Sequence, residues 1–300
     1  MAQENNRKPD YTDLDWSGLI ADRTEKWKVM LKTVGERGWQ TFSLREDKGF
    51  TSKLILLPVH KEQKRGLLIV CAGGGFMFKS SNEALPVAEF FHAQGINAAI
   101  LDYHVDPVSP MGENENIRLS AGADGLAAVR FSRAHSDMLG ILPDKIAIGG
   151  FSAGGIVSAI AATMFDQEDK NTEESCPGVS SRPDAALILY GAFAQTGMGG
   201  SVGQYDPKVQ ARKCKSDPIR NIRSDCPPMF VFQTHKDDPR YALLFCYELA
   251  CHGVPYEIHT FEEGPHGGGL YDGKTEDSPL FEHTAQWAML ASSWLKEKGF

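Results

Sequence analysis

The sequence predicts an α/β protein with a mostly parallel central sheet and helices on both faces of that sheet. Short, continuous apolar runs such as residues 67–71 are typical of strands that are covered on both faces. The segments between these runs carry apolar residues with the period of a helix. Because strands and helices alternate along the chain, the strands are expected to run parallel and to be joined by right-handed crossovers.

Taken in order, the elements begin with a helical pattern at residues 22–33 and a hairpin. Residues 39–44 and 51–57 are strand-like, and the polar residues 45–49 separate them, which predicts an antiparallel pair. Buried strands are then expected at residues 67–71, 98–101, 145–148, 185–189, 229–232 and 257–261. Further helices are expected at residues 83–94, 117–134, 156–164, 241–251 and 280–296.

Two long stretches interrupt this alternation. Residues 166–182 are acidic and polar, which predicts an exposed loop. Residues 195–224 are glycine-rich and then basic, without a clear period, and loops of this length are often lids or binding elements. We therefore expect a cap or lid at residues 195–224. No linker divides the chain, so residues 1–300 are expected to form a single domain with residues 1–38 as an N-terminal extension.

The overall composition indicates a soluble globular protein with a sizeable core. The chain has 300 residues, of which 42% are hydrophobic, and its 39 acidic and 31 basic residues give a net charge of −8. An acidic surface repels phosphate backbones and anionic lipids, so neither nucleic acid nor a membrane is expected as a partner. A homo-oligomer is compatible with the sequence. The polar N-terminus lacks the apolar core of a signal peptide, which favours a cytoplasmic location.

The six cysteines do not form a recognisable metal or redox motif. No Cys-x-x-Cys pair is present, so zinc and thioredoxin-like sites are not expected. Cys71 lies in a predicted strand, and Cys246 and Cys251 lie in a predicted helix. Buried, reduced thiols in a reducing compartment are therefore expected.

A cluster of glycines marks a candidate nucleophile. Residues 149–155 have the sequence Gly-Gly-Phe-Ser-Ala-Gly-Gly, which contains the pattern Gly-x-Ser-x-Gly around Ser152. The pattern lies between a predicted buried strand and a predicted helix, which is the setting that this motif requires. Gly150 and Gly154 leave room for a sharp turn, and the N–H of Ala153 at the helix N-terminus can hold an oxyanion. A turn that merely joins the strand to the helix is the alternative.

A serine hydroxyl is a weak nucleophile at neutral pH and needs a base. Among the nine histidines, His266 follows the last predicted strand in a glycine-rich loop, at the sheet edge where Ser152 is expected. His104 also follows a strand and is the weaker candidate.

The base in turn needs a carboxylate that orients it and stabilises its charged form. Asp237 and Asp238 follow the predicted strand at residues 229–232, and one of them is expected to reach His266. With either aspartate, the order Ser, Asp, His falls on successive strand ends, as in the Ser-Asp-His order of one known hydrolase architecture.

A second glycine-rich loop follows the first buried parallel strand. Gly73, Gly74 and Gly75 have no side chains, so their backbone N–H groups can approach a ligand closely. The sequence Phe-Met-Phe-Lys that follows Gly75 fits neither the dinucleotide fingerprint nor the Walker pattern. An oxyanion hole is therefore favoured over a nucleotide phosphate loop.

These motifs resemble those of the α/β-hydrolase superfamily, and within it a BD-FAE-like acetyl-esterase branch related to acetylxylan esterases and endo-xylanases. The matching stretches are residues 72–76, 101–104, 150–155, 182–184, 227–228 and 257–267. They occur in the order that this family has. Two departures are Ala72, where relatives carry His or Pro, and His104, where Arg is usual.

The resemblance implies a nucleophile, a base and three oxyanion-hole N–H donors, which are Ser152, His266, Gly73, Gly74 and Ala153. In this family the acid lies nine residues after the second proline of a Pro-Pro strand. Counted from Pro228, that position is Asp237, with Asp238 as the second choice.

The reaction implied is hydrolysis of a carboxylic ester through an acyl-enzyme, with no metal and no cofactor. The resemblance suggests a small acyl group such as acetyl, carried by an oligosaccharide or small-molecule substrate. A broad carboxylesterase or a serine peptidase of the same fold is the first alternative. A non-catalytic binding module is less favoured because the Ser, Asp and His set is intact, and a nucleotide-binding protein because the phosphate motifs fail.

Overall fold

The computed structural model describes residues 15–108, 115–166, 176–191, 217–237 and 239–300. Within these residues the chain forms one eight-stranded sheet in the order β1-β2-β4-β3-β5-β6-β7-β8. The strands are β1 (Gln40–Asp47), β2 (Phe50–Leu56), β3 (Arg65–Cys71), β4 (Asn97–Asp102), β5 (Ile141–Phe151), β6 (Ala185–Leu189), β7 (Met229–Thr234) and β8 (Tyr256–Phe261). Strands β3 to β8 are paired in parallel, and β2 is antiparallel to both of its neighbours. The predicted α/β fold with a mostly parallel sheet is confirmed.

The helices alternate with the parallel strands as predicted. They are α1 (Trp16–Glu36), α2 (Leu85–Ala93), α3 (Glu115–Ala134), α4 (Ser136–Leu139), α5 (Ala153–Thr163), α6 (Arg240–Cys251) and α7 (Gln286–Glu297). Short 3-10 turns lie at Ser81–Glu83, Pro218–Asn221 and His235–Asp237. Helix α7 begins later than the predicted residue 280, because Leu280 forms a β-bridge with Asp272. The short helix α4 was not predicted.

The predicted hairpin is present as strands β1 and β2. A two-residue turn joins them, and its residues Lys48 and Gly49 have φ angles of 49° and 80°. Positive φ at both central residues matches the turn type that suits the right-handed twist of paired strands. Strand β1 continues through the polar residues 45–47, because the side chain of Arg45 is buried among hydrogen-bond partners rather than exposed in a turn.

Alternate residues of the central strands face two separate apolar cores. Ile69 packs into the core that includes residues of α3, α5 and α6. The preceding Leu68 packs into the other core, which includes residues of α1, α2 and α7. Burial on both faces explains why these strands are continuous apolar runs in the sequence.

The N-terminal extension includes helix α1, which belongs to the second core. Its residues Trp27, Met30 and Val34 are buried, and the indole N–H of Trp27 donates to Asp102 Oδ1 at 3.1 Å. Because Asp102 ends strand β4, this bond joins the extension to an edge of the sheet where parallel strands end. Across the described ranges, no helix is both long and apolar enough to span a bilayer.

The two irregular stretches are described only in part. Residues 192–216 lie outside the described residues, so the cap or lid expected at 195–224 stays a prediction. The same holds for residues 167–175 of the predicted exposed loop. Of the cysteines described, four are free and buried, namely Cys71, Cys176, Cys226 and Cys246. Cys251 is free but exposed, so its predicted burial is wrong, because it is the last residue of α6 and lies on the solvent side.

Candidate active site

Four loops meet at the carboxyl edge of the parallel strands. They follow β3, β5, β7 and β8, and they contain residues 72–80, Ser152, the turn His235–Asp237 and His266. In open α/β sheets this edge is where ligands bind. The topology therefore collects the predicted site residues from sequence positions that are far apart.

The turn between β5 and α5 holds Ser152 in a strained backbone conformation. Its φ and ψ angles are 51° and −114°, and positive φ is uncommon for a residue with a side chain. The flanking glycines make this turn sterically feasible. A Cβ atom on Gly150 would lie 2.3 Å from the carbonyl oxygen of Gly154, and one on Gly154 would lie 2.1 Å from that of Cys71. The predicted steric role of these two glycines agrees with these distances.

The side chains of Ser152, His266 and Asp237 form a continuous hydrogen-bond chain. Nε2 of His266 lies 2.8 Å from Ser152 Oγ, and its Nδ1 lies 2.5 Å from Asp237 Oδ2. An ionised carboxylate can only accept, so Nδ1 donates to Asp237 and Nε2 accepts from the serine hydroxyl. The structure thus brings together three residues that the sequence analysis singled out.

Asp238 and His104 are the alternatives to Asp237 as the acid and to His266 as the base. Asp238 lies outside the described residues, and Asp237 is the aspartate that contacts His266. Both ring nitrogens of His104 are occupied elsewhere, Nδ1 by Asp124 at 2.6 Å and Nε2 by the carbonyl oxygen of Asp47 at 2.8 Å. His104 therefore belongs to a different hydrogen-bond network.

Opposing effects act on the pKa of His266. Burial lowers it, whereas the charge of Asp237, the hydrogen bond from Nδ1 and the charge of Glu83 raise it. The net result is a pKa above the ordinary value for histidine. Negative charge near the ring therefore stabilises its protonated form more than burial disfavours it.

The loop after β3 lies directly against Ser152. A Cβ atom on Gly73 would lie 3.0 Å from the Cβ atom of Ser152, so only a bare backbone fits. However, the N–H of Gly73 donates to Glu83 Oε2 at 2.7 Å. The single N–H of Gly73 thus already has a buried acceptor, which disfavours its predicted role as an oxyanion donor.

The other two predicted donors remain available. Within the described part of the chain, the N–H groups of Gly74 and Ala153 have no hydrogen-bond acceptor. Ala153 is the first residue of α5, where backbone N–H groups carry partial positive charge. Gly74 has a φ of 132°, which suits glycine. The N–H of the next residue, Gly75, also lacks an acceptor among described residues and was not predicted as a donor.

A buried lysine anchors this loop to the sheet. Lys79 Nζ lies 2.5 Å from Asp102 Oδ1 and donates to the carbonyl oxygen of Tyr103 at 2.8 Å. The hydroxyl of Tyr103 in turn donates to the carbonyl oxygen of Ala72 at 2.6 Å. Both ends of the loop are thereby tied to the end of β4.

The loop that carries His266 is also held by side chains. Thr234 Oγ1 donates to the carbonyl oxygen of Gly264, and Tyr271 Oη donates to that of Pro265, each at 2.7 Å. Asn82 Nδ2 donates to the carbonyl oxygen of Gly267 at 3.1 Å. The loop is therefore fixed on both sides of His266.

The sequence analysis missed Glu83, which lies between these two loops. Its carboxyl group accepts from Gly73 and from the hydroxyl of Tyr190, and Tyr190 contacts the ring of His266 at a centroid distance of 5.0 Å. The sequence signal was a charged residue at the start of the apolar helical pattern 83–94, which is also an ordinary position for glutamate.

In the described ranges, no group of three or more His, Cys, Asp or Glu side chains is arranged to hold a metal ion. The same edge of the sheet carries a hydrogen-bonded serine, histidine and aspartate beside the backbone N–H groups of Gly74 and Ala153.

The fold and this arrangement place the chain among the α/β-hydrolases. Residues 54–239 match the BD-FAE family, and the chain belongs to that family. It is 26% identical over 271 residues to endo-1,4-beta-xylanase B of Butyrivibrio fibrisolvens, a match that covers 86% of this chain and 41% of the relative. It is 23% identical over 273 residues to an acetylxylan esterase of Xylanibacter ruminicola, covering 85% of this chain and 50% of the relative. The chain thus spans about half the length of these curated relatives or less.

Solved structures show the same fold. An acetyl ester-xyloside bifunctional hydrolase from Caldicellulosiruptor lactoaceticus superimposes with a TM-score of 0.70 at 26% identity, covering 86% of this chain and 96% of that one. Esterase 2 of Thermogutta terrifontis superimposes with a TM-score of 0.69 at 23% identity, covering 88% and 96%. The likeness extends over nearly the full length of both solved chains.

Proposed function

We propose that the protein is a serine carboxylic-ester hydrolase that acts through an acyl-enzyme. The observation that carries this proposal is the unbroken hydrogen-bond chain from Ser152 Oγ through His266 to Asp237. Such a chain activates a hydroxyl group, because the histidine accepts its proton and the carboxylate stabilises the imidazolium that forms.

In the first step, Ser152 Oγ attacks the carbonyl carbon of the ester while its proton passes to His266 Nε2. The electron pair of the carbonyl bond moves to oxygen and creates a tetrahedral oxyanion. The N–H groups of Gly74 and Ala153 are the proposed donors to that oxygen, two of the three donors predicted from the sequence. Asp237 stabilises the positive ring through Nδ1.

In the second step, the bond to the alcohol oxygen breaks and that oxygen takes the proton from His266 Nε2. The acyl group remains bonded to Ser152 Oγ. Water then attacks the acyl carbon with His266 again as base, which releases the carboxylic acid and restores the serine hydroxyl. Each proton gained by the ring is returned within the same half-reaction.

We further propose a small acyl group, above all acetyl, on a carbohydrate or small-molecule ester. Membership in the BD-FAE family supports this substrate class. So does similarity to the acetylxylan esterase and to the acetyl ester-xyloside hydrolase. A broad carboxylesterase and a serine peptidase are the alternatives that the test below separates.

The test compares wild type with Ser152→Ala on an activated acetyl ester, longer acyl esters, acetylated xylo-oligosaccharide and a peptide amide. We expect a loss of ester hydrolysis of roughly 10⁴-fold or more in the variant. Ser158→Ala is a matched control, since Ser158 is a buried serine of α5 that donates to the carbonyl oxygen of Gly154 at 2.9 Å. That control is expected to retain hydrolysis.

Full activity in Ser152→Ala would refute the mechanism. Hydrolysis of the simple ester without release of acetate from the oligosaccharide would remove the carbohydrate substrate. Turnover of long acyl esters or of the amide as fast as the acetyl ester would favour the alternative enzymes.

A further inference from the structure

Glu83 is a buried carboxyl group that the proposed mechanism does not use. It ends the 3-10 turn Ser81–Glu83, between the glycine loop and α2, and only 1% of its surface is exposed. A carboxyl group is costly to bury unless hydrogen bonds replace its lost hydration. The partners of Glu83 therefore indicate what this residue does.

The two direct partners of Glu83 are Gly73, in the glycine loop, and Tyr190, which follows β6. Oε2 accepts from the N–H of Gly73 at 2.7 Å, in the loop that lies against Ser152. Oε1 accepts from the hydroxyl of Tyr190 at 2.7 Å. The hydroxyl oxygen of Tyr190 itself accepts from the N–H of Gly269 at 2.9 Å, three residues beyond His266. One carboxyl group thus joins the glycine loop to the loop of the base.

The pattern of donors suits the ionised form of Glu83. The N–H of Gly73 can only donate. The hydroxyl of Tyr190 accepts from Gly269, and its own proton points to Glu83 as its acceptor. Burial raises the pKa of Glu83 above its ordinary value, and the bonds from Tyr190 and Gly73 and the charge of His266 offset only part of that rise.

Two carboxyl groups place negative charge near the ring of His266. Asp237 bonds to Nδ1, and Glu83 adds its charge without touching the ring. Tyr190 and Tyr271 border the same space as neutral phenols, since burial raises the pKa of each above its ordinary value. Arg23 of α1 is the cation whose charge reaches Glu83.

We propose that Glu83 is a positioning residue, whose carboxylate fixes the Gly73 loop to the His266 loop and supplies a second negative charge to the protonated His266. This inference rests on the proposed function. Catalysis by Ser152 and His266 requires the two loops to keep their spacing while the ring of His266 gains and loses a proton. A carboxylate that bonds directly to the Gly73 loop, and through the hydroxyl of Tyr190 to the His266 loop, meets both requirements at once.

The test measures kcat/KM against pH for wild type, Glu83→Gln and Tyr190→Phe on an activated acetyl ester. Glutamine keeps the shape of Glu83 but removes its charge. We expect kcat/KM at the plateau to fall about tenfold or more, with kcat affected more than KM. The acidic limb of the kcat/KM profile, along which activity falls as His266 becomes protonated, is expected to move to lower pH by about half a unit or more. Without the charge of Glu83, the ring of His266 loses its proton at lower pH.

Tyr190→Phe keeps Glu83 but removes one of its donors, which favours the neutral carboxyl. It is expected to move the limb in the same direction by a smaller amount, and it tests the proposal if Glu83→Gln does not fold. Tyr271→Phe is the matched control. It removes a buried phenol that bonds to the His266 loop without contacting Glu83, so it is expected to leave the limb in place.

A readout that needs no turnover is the titration of the His266 ring by NMR in the Ser152→Ala background. Adding Glu83→Gln or Tyr190→Phe is expected to lower its midpoint. The proposal would be overturned if the variants that fold hydrolyse the ester more slowly but keep the midpoint of the His266 titration and the acidic limb of the kcat/KM profile unchanged. Hydrolysis that survives Ser152→Ala would instead refute the proposed function, so the two failures are distinguishable.

Discussion

Two histidine–aspartate pairs in this molecule share one bond and differ in the other. In both pairs, Nδ1 of the histidine contacts a carboxylate, at 2.5 Å for His266 with Asp237 and 2.6 Å for His104 with Asp124. Nε2 of His266 meets the hydroxyl of Ser152, whereas Nε2 of His104 meets the carbonyl oxygen of Asp47.

The second partner decides what each ring can do. A carbonyl oxygen only accepts, so His104 donates from both nitrogens when both bonds are made, which is the charged form. Its pKa is raised: burial lowers it, but the hydrogen bond and charge of Asp124 and the bond to Asp47 outweigh burial. A serine hydroxyl can donate, so His266 can remain neutral and accept a proton. The pair of His104 and Asp124 therefore suits a structural role, and the pair of His266 and Asp237 suits base catalysis.

The largest expected difference between the pairs is in turnover. His266→Ala should reduce ester hydrolysis roughly 10⁴-fold or more, because the proton of Ser152 then has no acceptor. His104→Ala should keep hydrolysis per folded molecule close to wild type while lowering the free energy of unfolding by about 1–3 kcal/mol. Steady-state kinetics and urea unfolding on both variants check this. An equal loss of ester hydrolysis in both variants would contradict the different roles assigned to His266 and His104.

A smaller effect is expected when the two aspartates are exchanged for asparagine. Asp237→Asn should reduce kcat by roughly 10³- to 10⁴-fold with little change in stability, because the amide no longer holds the reactive tautomer. Asp124→Asn should instead cost about 3–5 kcal/mol of stability, since Arg45 and His104 lose a buried anion.

Circular dichroism melts and kinetics measured side by side on these two variants separate the effects. A stable but inactive Asp124→Asn enzyme would contradict the structural role assigned to this pair.

The smallest effect is the pH dependence of stability through His104. Its folded pKa is raised, so the pair's contribution is fully present below the ordinary histidine pKa and is lost as pH rises through the folded pKa. The stability difference between wild type and His104→Gln should therefore shrink from mildly acidic to alkaline pH. Urea unfolding at several pH values measures it, and a difference that grows with pH would show that the ring is not stabilised as a cation.

Several features of the site could be predicted because they depend on local sequence. The strand, turn and helix around Ser152 are contiguous, and the clearance that Gly150 and Gly154 provide acts within a few residues. The position of His266 after the last strand follows from the alternation of elements. These are properties of neighbouring residues, so periodicity and motif are sufficient to find them.

Other features depend on partners far apart in the chain. The bond between Gly73 and Glu83 occupies the N–H of a predicted oxyanion donor, and nothing in the glycine motif indicates this bond. Glu83 also reaches Tyr190, which is 107 residues away. The sequence could not rank these contacts, because a buried carboxyl group and an exposed one at a helix start look the same in a single sequence.

By itself, the sequence determined the α/β fold class, the turn that presents Ser152 and the strand ends from which a base and an acid could come. Each of these follows from hydrophobic period or from backbone sterics over short distances. The tertiary structure decided that Asp237 contacts His266, that His104 belongs to a separate network and that Gly73 is bonded to Glu83. Those outcomes depend on which donors and acceptors the fold brings within 3 Å of each other, and hydrogen bonds of that length are set by packing rather than by position in the chain.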